Sequence, residues 1–237
     1  MHHPRTRNRT ALLALLSAAA LGVFGTAQAE PVHYLNIQTI NPEAREGFIK
    51  AMRNNATQSR SEAANRVFDV ADIGGNDPTL VLFESWRDAD GYQQHEASAH
   101  VAPVLALVPS AFAKPERKYV LRDLQALPAP ARTEIESPTA SKNVVARFSV
   151  KPEQRDAFLS QARSAIEQAR QQPGNRVFNV YGVRDDDNAF VIYERWKDAA
   201  AYQQFHAQLA GRAFDRVLGQ LQAGAPEVLV LQDRILD

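Results

Sequence analysis

The chain repeats itself at a fixed offset. Asn65-Arg66-Val67-Phe68-Asp69-Val70 recurs as Asn175-Arg176-Val177-Phe178-Asn179-Val180, 110 residues later. Phe83-Glu84-Ser85-Trp86 recurs at the same distance as Tyr193-Glu194-Arg195-Trp196, and Tyr92-Gln93-Gln94 as Tyr202-Gln203-Gln204. Pro42, Glu43, Arg45 and Phe48 match Pro152, Glu153, Arg155 and Phe158 without a gap. Whatever one copy folds into, the other must fold into as well. Solenoids need at least three stacked repeats, so two copies predict a tandem of two domains.

Each copy reads as the same string of elements. His33 to Ile40 and Asn143 to Val150 read as strands, each followed by a proline suited to the first turn of a helix. Helices follow over 43–64 and 153–172, with Phe48 and Met52, or Phe158, Ala162 and Ile166, at helical spacing. Arg66 to Ile73 and Leu80 to Arg87 read as a hairpin across Gly74-Gly75-Asn76-Asp77-Pro78, and Asp185 to Asn188 turns the second copy. Asp88 and Asp198 are N-caps for a broken helix, and 118–124 and 228–233 close each unit as a last strand. The order β-α-β-β-α-β is ferredoxin-like, so the fold class is α+β. Domains are expected over 30–124 and 142–237, joined by a proline-bearing extended linker over 125–141. A ferredoxin-like unit leaves one sheet face bare, and two copies in one chain can cover each other's. That predicts a monomeric pseudo-dimer, with higher association left open.

The 237 residues hold 27 basic and 27 acidic side chains and no cysteine. Disulfides, thiolate nucleophiles and Cys-ligated metals are thereby excluded, and the balanced charge argues against nucleic acid as a partner. The N-terminus carries Arg5, Arg7 and Arg9, an apolar run from Ala11 to Phe24, and Ala27-Gln28-Ala29. These are the three parts of a Sec-type signal peptide, with cleavage expected after Ala29 and a periplasmic or secreted product. The apolar run is shorter than the roughly 20 residues a membrane span needs, so no span is expected after processing.

On the third strand, alternation places Leu80, Leu82, Glu84 and Trp86 on one face, and Phe190, Ile192, Glu194 and Trp196 on the matching face of the second copy. A carboxylate among apolar neighbours needs a partner. Arg66 and Arg176 on the adjacent strand are the expected ones, and, compatibly with that pairing, Glu84 or Glu194 could line a pocket with Trp86 or Trp196. The copies differ in their histidines. His95 stands where the second copy has Phe205, and His206 falls one helical step later, about 100° round. His95 and His100, five apart, would point about 140° apart on one helix, so no metal site is expected.

The pattern Glu84-x-Trp86, then His95 nine residues after the Trp and His100 five later, resembles the antibiotic biosynthesis monooxygenase family. The second copy keeps Glu194 and Trp196 but has Phe205 and Ala210 at the histidine positions. The resemblance implies a dimeric α/β barrel, here formed within one chain. It also implies oxidation of quinol-like or polyphenolic aromatics by O₂ without a metal or flavin cofactor. On that reading His95 is the base, Trp86 a stacking wall and Asn36 a donor to developing negative charge, with Glu84, Arg66, His100, Glu194 and Trp196 around the pockets. Two other readings stand beside it. One is a non-catalytic small-molecule-binding or scaffolding module. The other is a haem-binding or haem-degrading protein, with His95 or His206 as axial ligand.

Overall fold

The computed structural model describes residues 30–136 and 138–235; the expected signal peptide lies outside them. The first half runs β1 (Val32–Thr39), α1 (Arg45–Ser59), β2 (Asn65–Asp72), β3 (Thr79–Trp86), α2 (Ala89–Glu96), α3 (Ala102–Ala111) and β4 (Arg117–Arg122). The second repeats it as β5 (Lys142–Ser149), α4 (Arg155–Arg170), β6 (Asn175–Val183), β7 (Asp186–Trp196), α5 (Ala199–Ala207), α6 (Leu209–Leu221) and β8 (Glu227–Ile235). No helix among the described residues is long and apolar enough to cross a membrane.

The eight strands close into one barrel in the order β1-β3-β2-β8-β5-β7-β6-β4. Within each half the strands pair as a ferredoxin-like sheet. The halves then join edge to edge, β2 with β8 (Asp72 opposite Gln232) and β4 with β6 (Leu121 opposite Val183). Two bare faces thus become the inside of a barrel, and four open edges are paired. Leu35, Ile37, Val81, Phe83 and Leu121 fill the interior from one half, and Val145, Val177, Tyr181, Val191, Tyr193 and Leu231 from the other. The alternate residues point outward to the helices: Tyr34, Phe68, Leu82 and Trp86 in the first half, Phe178, Phe190, Ile192 and Trp196 in the second. The period of two read from β3 is therefore the division between barrel interior and helix-covered face.

The connection between the halves is laid onto the second sheet. Leu124 and Leu127 enter the second half's core, Thr133 N–H donates to the Arg176 carbonyl (2.9 Å) and Ala131 N–H to Asn179 Oδ1 (3.0 Å). Arg132 pairs with Asp69 of the first half, whose carboxylate also accepts from Tyr193 Oη (2.6 Å) and faces Arg195 (3.3 Å). Burial alone would raise the Asp69 pKa, but Arg132 and Arg195 pull it down to about 2. Within the expected extended tether, Leu127 and Arg132 thus each have a buried partner.

Candidate functional site

In the first half, a cavity of about 210 Å³ lies between the outward face of the sheet and α1, α2 and α3. Asn36, Phe68, Leu82 and Glu84 rise from the strands, Met52 and Asn55 come from α1, and His95 from α2. Val101, Val104, Leu105 and Val108 close it from the α3 side, and Gln38, Glu116 and Lys118 line it beyond. Asp88 starts α2 as expected, accepting from Gly91 N (2.7 Å). A Cβ on Gly91 would sit 2.3 Å from the Ala64 Cβ, so the glycine is what lets α2 dock close enough to present His95.

Glu84 is 4 % exposed and accepts two hydrogen bonds, from Asn36 Nδ2 (2.9 Å) and from Trp86 Nε1 (3.1 Å). Burial raises its carboxyl pKa, and the indole N–H, the Lys118 ammonium and the Asn36 amide only partly oppose this, so it lies at about 7. A cavity-facing carboxyl poised near neutrality can both take and return a proton. Lys118 Nζ lies over the rings of Tyr34 (4.6 Å) and Tyr92 (4.9 Å) and donates to Tyr92 Oη (2.6 Å), which itself donates to Glu96. It brings a positive charge to the cavity that Glu84 serves.

Several expected placements change. Arg66 does not reach Glu84: β2 bulges between Asn65 and Val67, and Arg66 is turned out and exposed. Arg176 likewise faces Glu136 (3.5 Å), and Glu194 is served by other groups. Trp86 is buried behind the cavity rather than lining it. Its ring lies 4.4 Å from that of His95, and its N–H holds Glu84. Asn36 lines the cavity as expected, but one of its amide hydrogens is committed to Glu84.

His95 lines the cavity with its ring, while its Nδ1 faces Ser59 Oγ (3.4 Å) and the Glu62 carboxylate (3.3 Å) on the other side. Burial pushes its pKa below the ordinary value, against the pull of Glu62. His100 is outside the cavity. α2 stops at Glu96, so His95 and His100 do not share one helix, and their rings come within 5.6 Å. The 140° separation expected on a continuous helix therefore does not apply, and Glu62, His95 and His100 form a potential metal-ligand group.

The second half keeps the frame and loses the space. Where the first has Asn36, Gln38, Met52, Asn55, His95, Val104 and Lys118, the second has Ala146, Phe148, Ala162, Ala165, Phe205, Phe214 and Val228. Phe148, Phe178, Phe205, Phe214 and Trp196 join one packed core. Glu194 and Trp196 are thus buried in a filled site, with Trp196 Nε1 donating to Glu194 (2.9 Å). His206 does reach that carboxylate despite its shifted helical position: Nε2 is 3.2 Å from Glu194 and Nδ1 3.0 Å from Asp215. Burial lowers the His206 pKa, but bonding to Asp215 and Glu194 outweighs this and raises it to about 9. Its stabilising charge is complete below the unfolded value near 6.5 and lost as pH rises through about 9. His206→Ala is accordingly expected to cost on the order of 2 kcal/mol near pH 6, shrinking above pH 9. Urea unfolding of both proteins at the two pH values reads this directly.

Lys118, Gln38, Asn55 and Glu62 were not singled out by motif. The signal that finds them is the comparison of the two copies, since each is polar where its counterpart at +110 is Val228, Phe148, Ala165 or uncharged Gln172.

The antibiotic biosynthesis monooxygenase family model matches residues 32–104 and 143–216. A Bacillus subtilis protein named "Putative monooxygenase YcnE" is 40 % identical over 65 residues, 27 % of this chain and 67 % of its own length. A Synechocystis protein of uncharacterised function is 31 % identical over 83 residues, 35 % of this chain and 56 % of its own. Among solved structures, a Fusobacterium nucleatum protein described as a "Putative monooxygenase" superposes with a TM-score of 0.79 at 15 % identity, covering 86 % of this chain and 93 % of that one. An "anthrone oxidase-like protein" superposes at 0.61 with 17 % identity, covering 87 % and 92 %. These two likenesses show the fold. Two matched domains, paired strand by strand into one barrel, place the chain in the antibiotic biosynthesis monooxygenase family as a tandem member.

Proposed function

We propose that the protein is a monooxygenase acting on a quinol-like aromatic, with its one working site in the first half. The observation that carries this reading is Glu84: a buried carboxyl near neutral pKa, held by two donors, facing a mainly apolar cavity in a monooxygenase family. Cavities of roughly 150 Å³ accept a benzene, so about 210 Å³ suits one substituted ring better than a fused polyphenol.

In the proposed reaction Glu84 takes the proton of a ring hydroxyl, and the Lys118 ammonium stabilises the resulting negative charge. Asn36 and Trp86 position Glu84, and His95 forms the wall backed by Trp86. Glu84 is preferred over His95 as base because both its oxygens are held by the cavity frame. The polar contacts of His95 instead run to Ser59 and Glu62, away from the cavity. The deprotonated quinol supplies the electrons for O₂ reduction without a metal or flavin. One oxygen atom enters the ring, the other leaves as water, and the quinol ends as a hydroxyquinone. If residues 1–29 act as the signal peptide their pattern predicts, the reaction runs in a periplasm or outside the cell.

Oxygen uptake tests the reading. The protein is expected to consume O₂ with a substituted hydroquinone well above a boiled control, and more slowly with an anthrone. No uptake across a panel of such compounds would leave a binding module.

A further inference from the structure

On the side of His95 away from the cavity, the chain gathers a second chemical group. Residues 97–101 turn after α2 and fold His100 back beside His95. The residues after α1 bring Glu62 to both. His100 Nε2 lies 2.9 Å from Glu62 Oε1, and His95 Nδ1 lies 3.3 Å from the same carboxylate. All three donor atoms fall within 4.8 Å of one another. Glu62 and His100 do not line the cavity and remain partly exposed, so the group is reached from solvent rather than through the substrate site.

We propose that Glu62, His95 and His100 bind one divalent transition-metal ion of the zinc class. Two imidazoles and a carboxylate are a donor set that zinc-class ions favour. Bond lengths of about 2 Å in tetrahedral geometry place ligand atoms about 3.3 Å apart, so the His95–Glu62 separation already fits. Two hydroxyls stand at the ligating nitrogens themselves and give way when an ion takes those positions. Ser98 Oγ donates to the His95 carbonyl (2.7 Å) and sits 3.1 Å from His100 Nε2, and Ser59 Oγ stands by His95 Nδ1.

The internal comparison supports a unit. Ser59, Glu62, His95, Ser98 and His100 become Ala169, Gln172, Phe205, Gln208 and Ala210 in the second half. Every ligand and both neighbouring hydroxyls are gone together, although the surrounding fold is kept. The ion stands outside the cavity and carries no step of the oxygen chemistry. It pins Nδ1 of the ring whose other side forms the cavity wall.

Cobalt(II) is the probe, because its visible absorption reports ligand geometry independently of turnover. The untagged full chain, stripped with chelator, is expected to bind one Co(II) with visible ligand-field bands that zinc abolishes by displacement. Proton NMR of the Co(II) form is expected to show two shifted, solvent-exchangeable imidazole N–H resonances, a count that needs no substitution. Glu62→Gln and His100→Ala are each expected to weaken binding at least about tenfold, with His206→Ala unchanged. Absence of a bound-cobalt spectrum at millimolar metal, fewer than two imidazole resonances, or binding that survives both substitutions would each overturn the site.

Discussion

Glu84→Gln is expected to yield a folded protein that has lost turnover by roughly 10²–10⁴-fold, the usual contribution of a general base. The amide keeps the shape of the carboxyl and can still accept from Trp86 Nε1, while its NH₂ can donate to a turned Asn36 side chain, so the frame around it is retained. Stability should move the other way. Burial raises the Glu84 pKa from 4.5 to about 7, so the folded state holds that proton more tightly than the unfolded chain. The stability linked to this proton is complete below about pH 4.5 and lost as pH rises through about 7. Above pH 7 the wild type therefore carries an ionised, desolvated carboxyl at a cost of roughly 3 kcal/mol, which the amide avoids. Urea midpoints should coincide near pH 4 and favour Glu84→Gln at pH 8, while oxygen uptake is lost at both. A variant that is inactive because it has unfolded would make Glu84 a structural residue instead.

The second large effect concerns the halves. Residues 30–124 alone are expected to dimerise or aggregate, and not to persist as a folded monomer. Without the second half, Leu35, Ile37, Val81, Phe83 and Leu121 lose their interior neighbours, and β2 and β4 become open edges. A self-dimer can pair β2 with β4 of its partner at both seams, which is the tandem arrangement made symmetric. It cannot restore the partners of Asp69, because Arg132, Arg195 and Tyr193 all lie beyond residue 124. Leaving a buried carboxylate without its guanidinium partners typically costs about 3–5 kcal/mol. The self-dimer should therefore melt far below the intact chain. Sedimentation with thermal melts measures both; a well-folded monomeric fragment would contradict the barrel account.

The architecture was legible because a 110-residue offset constrains two domains at once, and because alternation on β3 separates interior from helix-covered residues. The barrel formed within one chain was implied by the family resemblance and is what the strands form, whereas the register of the two seams depends on how two twisted sheets meet. At the site, Glu84, Trp86, His95 and Asn36 are all in or behind the cavity, but their contacts differ from those that spacing suggests. A one-residue bulge at Asn65–Val67 removes Arg66 from Glu84, and nothing in the local sequence marks it. The end of α2 at Glu96 brings His100 back to His95, whereas helical periodicity assumes the helix continues. His206 reaches Glu194 because its helix position faces the site in both halves, its counterpart Glu96 lining the first cavity.

The filled second half also supplies the most direct test of where the chemistry occurs. Val104 lines the cavity, and its counterpart Phe214 is part of the core that fills the second site. Val104→Phe writes that filling into the first half without touching Glu84, Lys118 or His95. Oxygen uptake with a substituted hydroquinone is predicted to fall to the boiled-control level in Val104→Phe while the melting temperature holds or rises. Undiminished uptake in this variant would place the reaction somewhere other than the first-half cavity.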